Sequence, residues 1–190
     1  RLCALYPECI DAYMGTQDME NCEEYTPTCD EGYEAIDIYC YYSSDIEVLQ
    51  VFIDNSQSTI DMSMDDNENG VIDPLELGNQ TWTPQDRDAH FRLTSLNCSS
   101  DGLSGSIPES IGDLTSLTSL KLDNNDLTGS IPESIGDLTS LTTLYLYSND
   151  LTGSIPESIG NLTSLTTLYL HNNDLSGSIP ESIGSLLSLN

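Results

Sequence analysis

The sequence predicts an α/β repeat: a right-handed solenoid of 24-residue coils, entered through a disulfide-rich, partly helical N-terminal cap. Three observations carry this prediction. The phrase L-[ST]-G-S-I-P-E-S-I-G recurs at Leu103, Leu127, Leu151 and Leu175, each 24 residues after the last. A fixed period of this size marks stacked units, none of which can bury its apolar face alone. Between the phrases stand the rows "LTSLKLDNNDL", "LTTLYLYSNDL" and "LTTLYLHNNDL", in which Leu-x-Leu alternation has the period of a strand. Five of the six cysteines fall in the first 40 residues, a density expected of a stapled, loop-rich segment.

Taken in order, residues 1–44 form the cysteine-rich segment, with Cys3, Cys9, Cys22, Cys29 and Cys40 at irregular spacing. There is no C-x-x-C pair and the chain has two histidines, which argues against zinc. With Cys98 the count is six, which reads as three disulfides and an oxidising compartment. The chain opens on Arg1 with no apolar leader, as expected of a secreted protein whose signal peptide has been removed. No apolar run is long enough to span a membrane. Residues 45–92 form a second region. Within it "DIEVLQVFIDN", 45–55, reads as a helix with a broad apolar side (Ile46, Leu49, Val51, Phe52 and Ile53), started by Asp45 as its cap. Its expected role is a lid over the first coil.

Residues 93–190 are the repeats. "LTSLNCSSDGL", 93–103, is a worn first copy in which Cys98 takes a core Leu position and Asp101 an Asn position. In the later copies Leu120 and Leu122, Leu144 and Leu146, and Leu168 and Leu170 point inward. Asn125, Asn149 and Asn173 stack one above another, and each buried amide can satisfy backbone groups of the turn. The Gly-x-Ile-Pro step turns the chain on the convex side, where a proline's missing donor does no harm.

These rows resemble the plant-type leucine-rich repeat pattern LxxLxLxxNxLxGxIPxxLGxL, and the match covers 93–190. The family includes ectodomains of receptor kinases and inhibitors of cell-wall polygalacturonases. The resemblance therefore implies a secreted binding or scaffolding module and not an enzyme. Family members carry a paired-cysteine cap with a tryptophan before the first coil. Here Trp82 and Cys98 fit, but a second nearby cysteine is lacking, so the resemblance implies that Cys98 pairs further back, with Cys40. Nothing in the residues themselves points to catalysis. No G-x-S-x-G elbow is present, and Glu109, Glu133, Glu157 and Glu181 repeat once per coil as a surface rule would, not as an acid–base pair.

"DDNENGVIDPLE", 65–76, resembles an EF-hand loop. Asp65, Asn67, Asn69, Asp73 and Glu76 stand where a hard cation needs oxygen ligands, with Val71 contributing its carbonyl. Gly70 stands at the sharp turn and Ile72 at the apolar tie to the core. The flanks are too short for paired helices, so the expected role is a structural Ca²⁺ staple and not a switch. The alternative is an acidic turn without an ion.

The outward strand residues are Ser119, Lys121 and Asp123, then Thr143, Tyr145 and Tyr147, then Thr167, Tyr169 and His171. Tyr145, Tyr147, Tyr169 and His171 form an aromatic patch that could stack on a sugar or anchor a peptide, or else merely pack across strands. N-x-[ST] sequons at Asn79, Asn97 and Asn161 are expected N-glycan acceptors in a secreted chain.

The formal charge is −28, with 21 of the 32 acids before residue 93. Such a surface repels nucleic acid and anionic lipid and favours cations or basic partners. The final copy stops at Asn190, leaving Ile179, Ile183, Leu186, Leu187 and Leu189 without a following coil. Either the chain is truncated or another molecule covers this end. On the second view, a head-to-tail contact between unlike ends builds a filament. The near-identity of the coils favours such an extracellular fibril or matrix subunit. The alternative is a recognition module that binds a protein or glycan on the concave face.

Overall fold

The computed structural model describes residues 29, 31–36, 39–66, 68, 70–84 and 90–190. The rows of alternating leucines become short parallel strands. We number the strands β1 (Tyr33–Ile36), β2 (Tyr39–Tyr42), β3 (Asn79–Pro84), β4 (His90–Asn97), β5 (Ser104–Ser106), β6 (Ser119–Lys121), β7 (Asp126–Ser130), β8 (Thr143–Tyr145), β9 (Asp150–Gly153), β10 (Thr167–Tyr169) and β11 (Asp174–Leu175). One sheet runs β1-β2-β4-β6-β8-β10, with β3 antiparallel to β4. Its repeat half is in register at one coil per strand, Leu96 beside Leu120, Leu144 and Leu168.

A second parallel sheet, β11-β9-β7-β5, was not evident in the sequence. It forms at L-[ST]-G-S, where each Gly sits at positive φ (Gly129 at 75°) so that the chain can turn toward Ile-Pro. After each Pro the convex side runs as a short 3₁₀ helix (Glu109–Asp113, Glu133–Asp137, Glu157–Asn161 and Glu181–Ser185) and not as an α-helix. Eight residues separate each Pro from the next row (109–116 after Pro108), and five of them make one short 3₁₀ helix.

The core is a column of fully buried leucines and isoleucines, among them Leu120, Leu122, Leu144, Leu146, Ile111 and Ile135. The asparagine ladder holds it in step. Asn149 Oδ1 accepts from the Leu127 N–H at 3.1 Å, and its Nδ2 donates to the carbonyls of Leu122 at 2.9 Å and Leu146 at 3.2 Å. Asn125 does the same for Leu103 and Cys98, and Asn173 for Leu151 and Leu146. Each side chain thus closes backbone groups of two successive coils.

The helix spans Ser43–Ser56 and packs Val48, Leu49, Phe52 and Ile53 into the same core. Ser56 Oγ accepts from the Ser104 N–H at 2.9 Å, fastening the helix end to β5. Asp45 does not cap the helix. The N-cap is Tyr42, with no side-chain cap bond. Asp45 instead turns inward to Arg92, because a carboxylate carried into the core needs a cation there more than the helix needs a cap.

The cysteine pairing also differs from expectation. Cys29 and Cys40 form a disulfide, with Cα atoms 5.6 Å apart. Cys98 is a buried free thiol in its Leu-like core position, so the expected Cys40–Cys98 bridge is not formed. Among the described residues Cys29–Cys40 is the one disulfide. Cys3, Cys9 and Cys22 lie outside the described residues.

Candidate functional site: the concave aromatic face

The outward residues of β6, β8 and β10, with the turn residues that follow them, stack in two rows. The strand register places Lys121 beside Tyr145 and Tyr145 beside Tyr169. Tyr145 and Tyr169 are stacked, with centroids 4.8 Å apart and planes 17° from parallel, and Lys121 Nζ lies 5.1 Å from the Tyr145 centroid. The second row is Asp123, Tyr147 and His171. Tyr147 and His171 stack at 4.8 Å and 4°. Edge contacts join the rows, with Tyr147 to Tyr169 at 6.3 Å and Tyr169 to His171 at 5.9 Å. All four predicted aromatic residues are therefore brought together as one platform. Tyr169, at 44 % exposure, and His171 are its exposed rings.

Asp123 is not on the open face as expected; it is 3 % exposed. Its carboxylate accepts from Ser99 Oγ and from Asn124 Nδ2, both at 2.8 Å. The Tyr147 hydroxyl also bonds to it, and this contact with an anion pushes the Tyr147 phenol above its ordinary value. Asp123 thus fixes the tilt of the Tyr147 ring. In sequence Asp123 carries the same alternation signal as Lys121, and nothing in that signal marks the covering by Ser99 and Asn124. The platform has the composition of an anchor surface: flat rings, polar tips, one ammonium group and one buried acid.

The profile of the leucine-rich repeat region family matches residues 88–190. The chain belongs to the leucine-rich repeat family. Among solved structures, the BIR3–SERK2 complex from Arabidopsis thaliana is similar at 36 % identity and TM-score 0.58, covering 75 % of this chain and 77 % of that one. The ectodomain of the Arabidopsis receptor kinase SOBIR1 is similar at 29 % identity and TM-score 0.60, covering 77 % of this chain and 76 % of that one. The plant peptide hormone receptor RGFR1, solved with RGF2, is 52 % identical over 51 % of this chain and 16 % of its own, at TM-score 0.50. This leucine-rich repeat chain spans 16–20 % of the RGFR1, GASSHO1/SCHENGEN3 and PEPR1 chains it resembles. Comparison with curated proteins gives no match. No helix among the described residues is long and apolar enough to cross a membrane.

The acidic loop has the turn that its sequence called for. Gly70 has φ of 86° and its N–H donates to Asp65 Oδ2 at 2.7 Å. The Asp73 N–H donates to Glu76 Oε2 at 2.9 Å, and Ile72 is buried against the core. The flanks are single 3₁₀ turns, Met62–Met64 and Pro74–Glu76. Asn67 and Asn69 lie outside the described residues. Oxygen donors and a tight glycine turn suit Ca²⁺. The carboxylates of Asp65, Asp73 and Glu76 are not gathered into one shell, for among the described residues no three His, Cys, Asp or Glu side chains form a metal-holding group. Val71 is exposed beside them.

Of the sequons, Asn79 and Asn161 are exposed, the first opening β3 and the second ending a convex 3₁₀ turn. Asn97 is half-buried, and its Oδ1 accepts from Ser99 Oγ at 2.7 Å. In the last coil Ile179 and Leu187 are exposed at 70 % and 91 %. Ile183 and Leu189 are half-buried, and Leu186 is buried.

Proposed function

We propose that this chain is a secreted, extracellular recognition module that holds a protein or peptide ligand on the platform of Tyr145, Tyr147, Tyr169 and His171. The observation that carries this reading is where the coils differ. The convex phrase G-S-I-P-E-S-I-G is repeated letter for letter, while the concave positions change from Lys121 to Tyr145 and Tyr169, and from Asp123 to Tyr147 and His171. A surface kept for stacking alone has no reason to vary there. Two solved relatives support it: RGFR1 is a plant peptide hormone receptor in complex with RGF2, and BIR3 is in complex with SERK2. Stacked rings with polar tips suit a peptide with an apolar anchor, and Lys121 suits an acidic group beside it.

The test is selection from a displayed peptide library on the intact chain. Selected peptides should lose at least about tenfold in affinity on the Tyr145→Ala/Tyr169→Ala double variant while its thermal midpoint stays put. Equal binding to both proteins would refute the site.

Calcium at Asp65–Glu76 completes the reading as a staple beside the helix, and N-glycans at Asn79, Asn97 and Asn161 suit an extracellular surface. A second reading, head-to-tail self-association through Ile179, Ile183, Leu186 and Leu189, rests on the exposed last coil. Its apolar area centres on Ile179 and Leu187. Light scattering and electron microscopy in calcium and in chelator test it. Filaments with a one-subunit repeat support self-association, and monomers at all concentrations remove it.

A further inference from the structure

The concave platform is unlike at its two ends. The strand register sets Asn97, Lys121, Tyr145 and Tyr169 side by side on β4, β6, β8 and β10. This row is polar and charged at the first-coil end and aromatic at the other. Lys121 is held in place, with its Nζ 5.1 Å from the Tyr145 centroid, a distance at which an ammonium is attracted to the ring face. The carboxylate two residues on is committed elsewhere. Asp123 is buried and accepts from Ser99 Oγ, Asn124 Nδ2 and the Tyr147 hydroxyl. At the far end Tyr169 and His171 are the exposed rings.

Resting on the reading of this face as the ligand platform, we propose which peptide it takes: a segment with a single acidic side chain three residues from an aromatic or large aliphatic one, in polyproline II form. The acid meets Lys121 and the anchor meets Tyr169. The spacing follows from the register. Neighbouring strands lie about 4.8 Å apart, so the two steps from Lys121 to Tyr169 span about 10 Å. A polyproline II segment rises about 3.1 Å per residue with three residues per turn, so side chains three apart leave one side of it about 9 Å from each other. A β-extended segment turns residues three apart to opposite faces. An α-helix brings them within about 5–6 Å, too close to reach both ends of the row. The net charge of −28 narrows the composition further. It opposes an acidic segment as a whole, so the surface admits one acid, matched to Lys121, within an otherwise neutral or basic segment.

The experiment is selection of random displayed peptides on the full chain and, in parallel, on Lys121→Glu. Fluorescence anisotropy of the selected peptides follows at about 0.15 M salt, where long-range repulsion is screened. Peptides from the wild-type chain should carry Asp or Glu three positions from an aromatic or large aliphatic residue. Those from Lys121→Glu should carry Lys or Arg in its place. Changing the peptide's acid to its amide should cost at least about fivefold on the wild-type chain and less than about twofold on Lys121→Gln, which keeps a polar side chain on β6. Two outcomes would overturn this inference and leave the platform standing: peptides that depend on Tyr145 and Tyr169 but show no acid at that spacing, or an equal cost of losing the acid on both proteins. Equal binding to the Tyr145→Ala/Tyr169→Ala variant, or a library that yields no binder, would overturn both readings.

Discussion

Arg92→Ala separates a packed, charge-compensated cap from one that merely rests on the coils. Asp45 is fully buried on the third residue of the helix. It accepts from Arg92 Nε at 2.9 Å, Arg92 Nη2 at 3.0 Å and the Leu93 N–H at 2.8 Å. The guanidinium also lies 3.8 Å over the Tyr42 ring. Burial pushes the Asp45 carboxyl above its ordinary 3.8, against the downward pull of Arg92 and the Leu93 N–H. Removing Arg92 leaves a buried carboxylate with the Leu93 amide as its main support, and breaking such a pair from one side costs about 3–5 kcal/mol. For a chain of this size that lowers Tm by about 6–20 °C at pH 7. The pH dependence has a definite sign. A raised folded pKa gives stability that is fully present below the unfolded value and is lost as pH rises through the folded one. Without Arg92 the folded value rises further, so the deficit against wild type should be small near pH 4 and full at pH 7. Urea unfolding of both proteins at the two pH values measures it, with the other carboxylates cancelling in the difference. A deficit below about 1 kcal/mol at pH 7, or one equal at both pH values, would refute the reasoning and class the pair with screened surface contacts.

Three further outcomes follow from the same geometry. Asn149→Ala strands the Leu127 N–H and the carbonyls of Leu122 and Leu146, and should cost about 2–4 kcal/mol in urea unfolding. Cys98, buried and with its thiol pushed far up by desolvation, should resist alkylation in the native protein and react once in denaturant without reductant; failure to react when unfolded would mean that it is bridged. Calorimetric titration with CaCl₂ should show one site with Kd of about 10⁻⁴–10⁻³ M that disappears in Asp65→Ala, and absence of heat in the wild type would remove the calcium reading.

The repeats were legible because every level of the sequence agreed. Period, Leu alternation and Asn placement each specify the same coil, and the register of Leu96, Leu120, Leu144 and Leu168 follows. Where one residue had two physical uses, the sequence could not choose. Asp45 read as a helix cap because Asp is a good cap, yet its partner is Arg92, 47 residues away. Cys98 read as a bridge because the cysteine count was even, yet its position in the row is a core position, and burial decided it. The second sheet is weakly marked in the sequence because Asp and Gly, which strands disfavour, stand in its short segments. It pairs because stacking brings identical backbone steps alongside one another, a consequence of the repeat and not of its residues.

The near-identity of the coils does not by itself separate assembly from recognition. The repeated letters are those that build the coil: Ile and Leu in the core, Gly and Pro at the bends, Asn in the ladder. Any leucine-rich repeat coil needs them, whatever it does. Function has freedom only at positions that point away from the core, and there the convex turns and the concave strands part company. Glu109, Glu133, Glu157 and Glu181 stay the same on one side, while on the other Lys121 gives way to Tyr145 and Tyr169, and Asp123 to Tyr147 and His171. Assembly through the coil ends constrains neither row, so it does not explain the difference. On the proposed reading a ligand lying across three strands does, because it meets Lys121 beside two tyrosines in one row and Asp123, Tyr147 and His171 in the other.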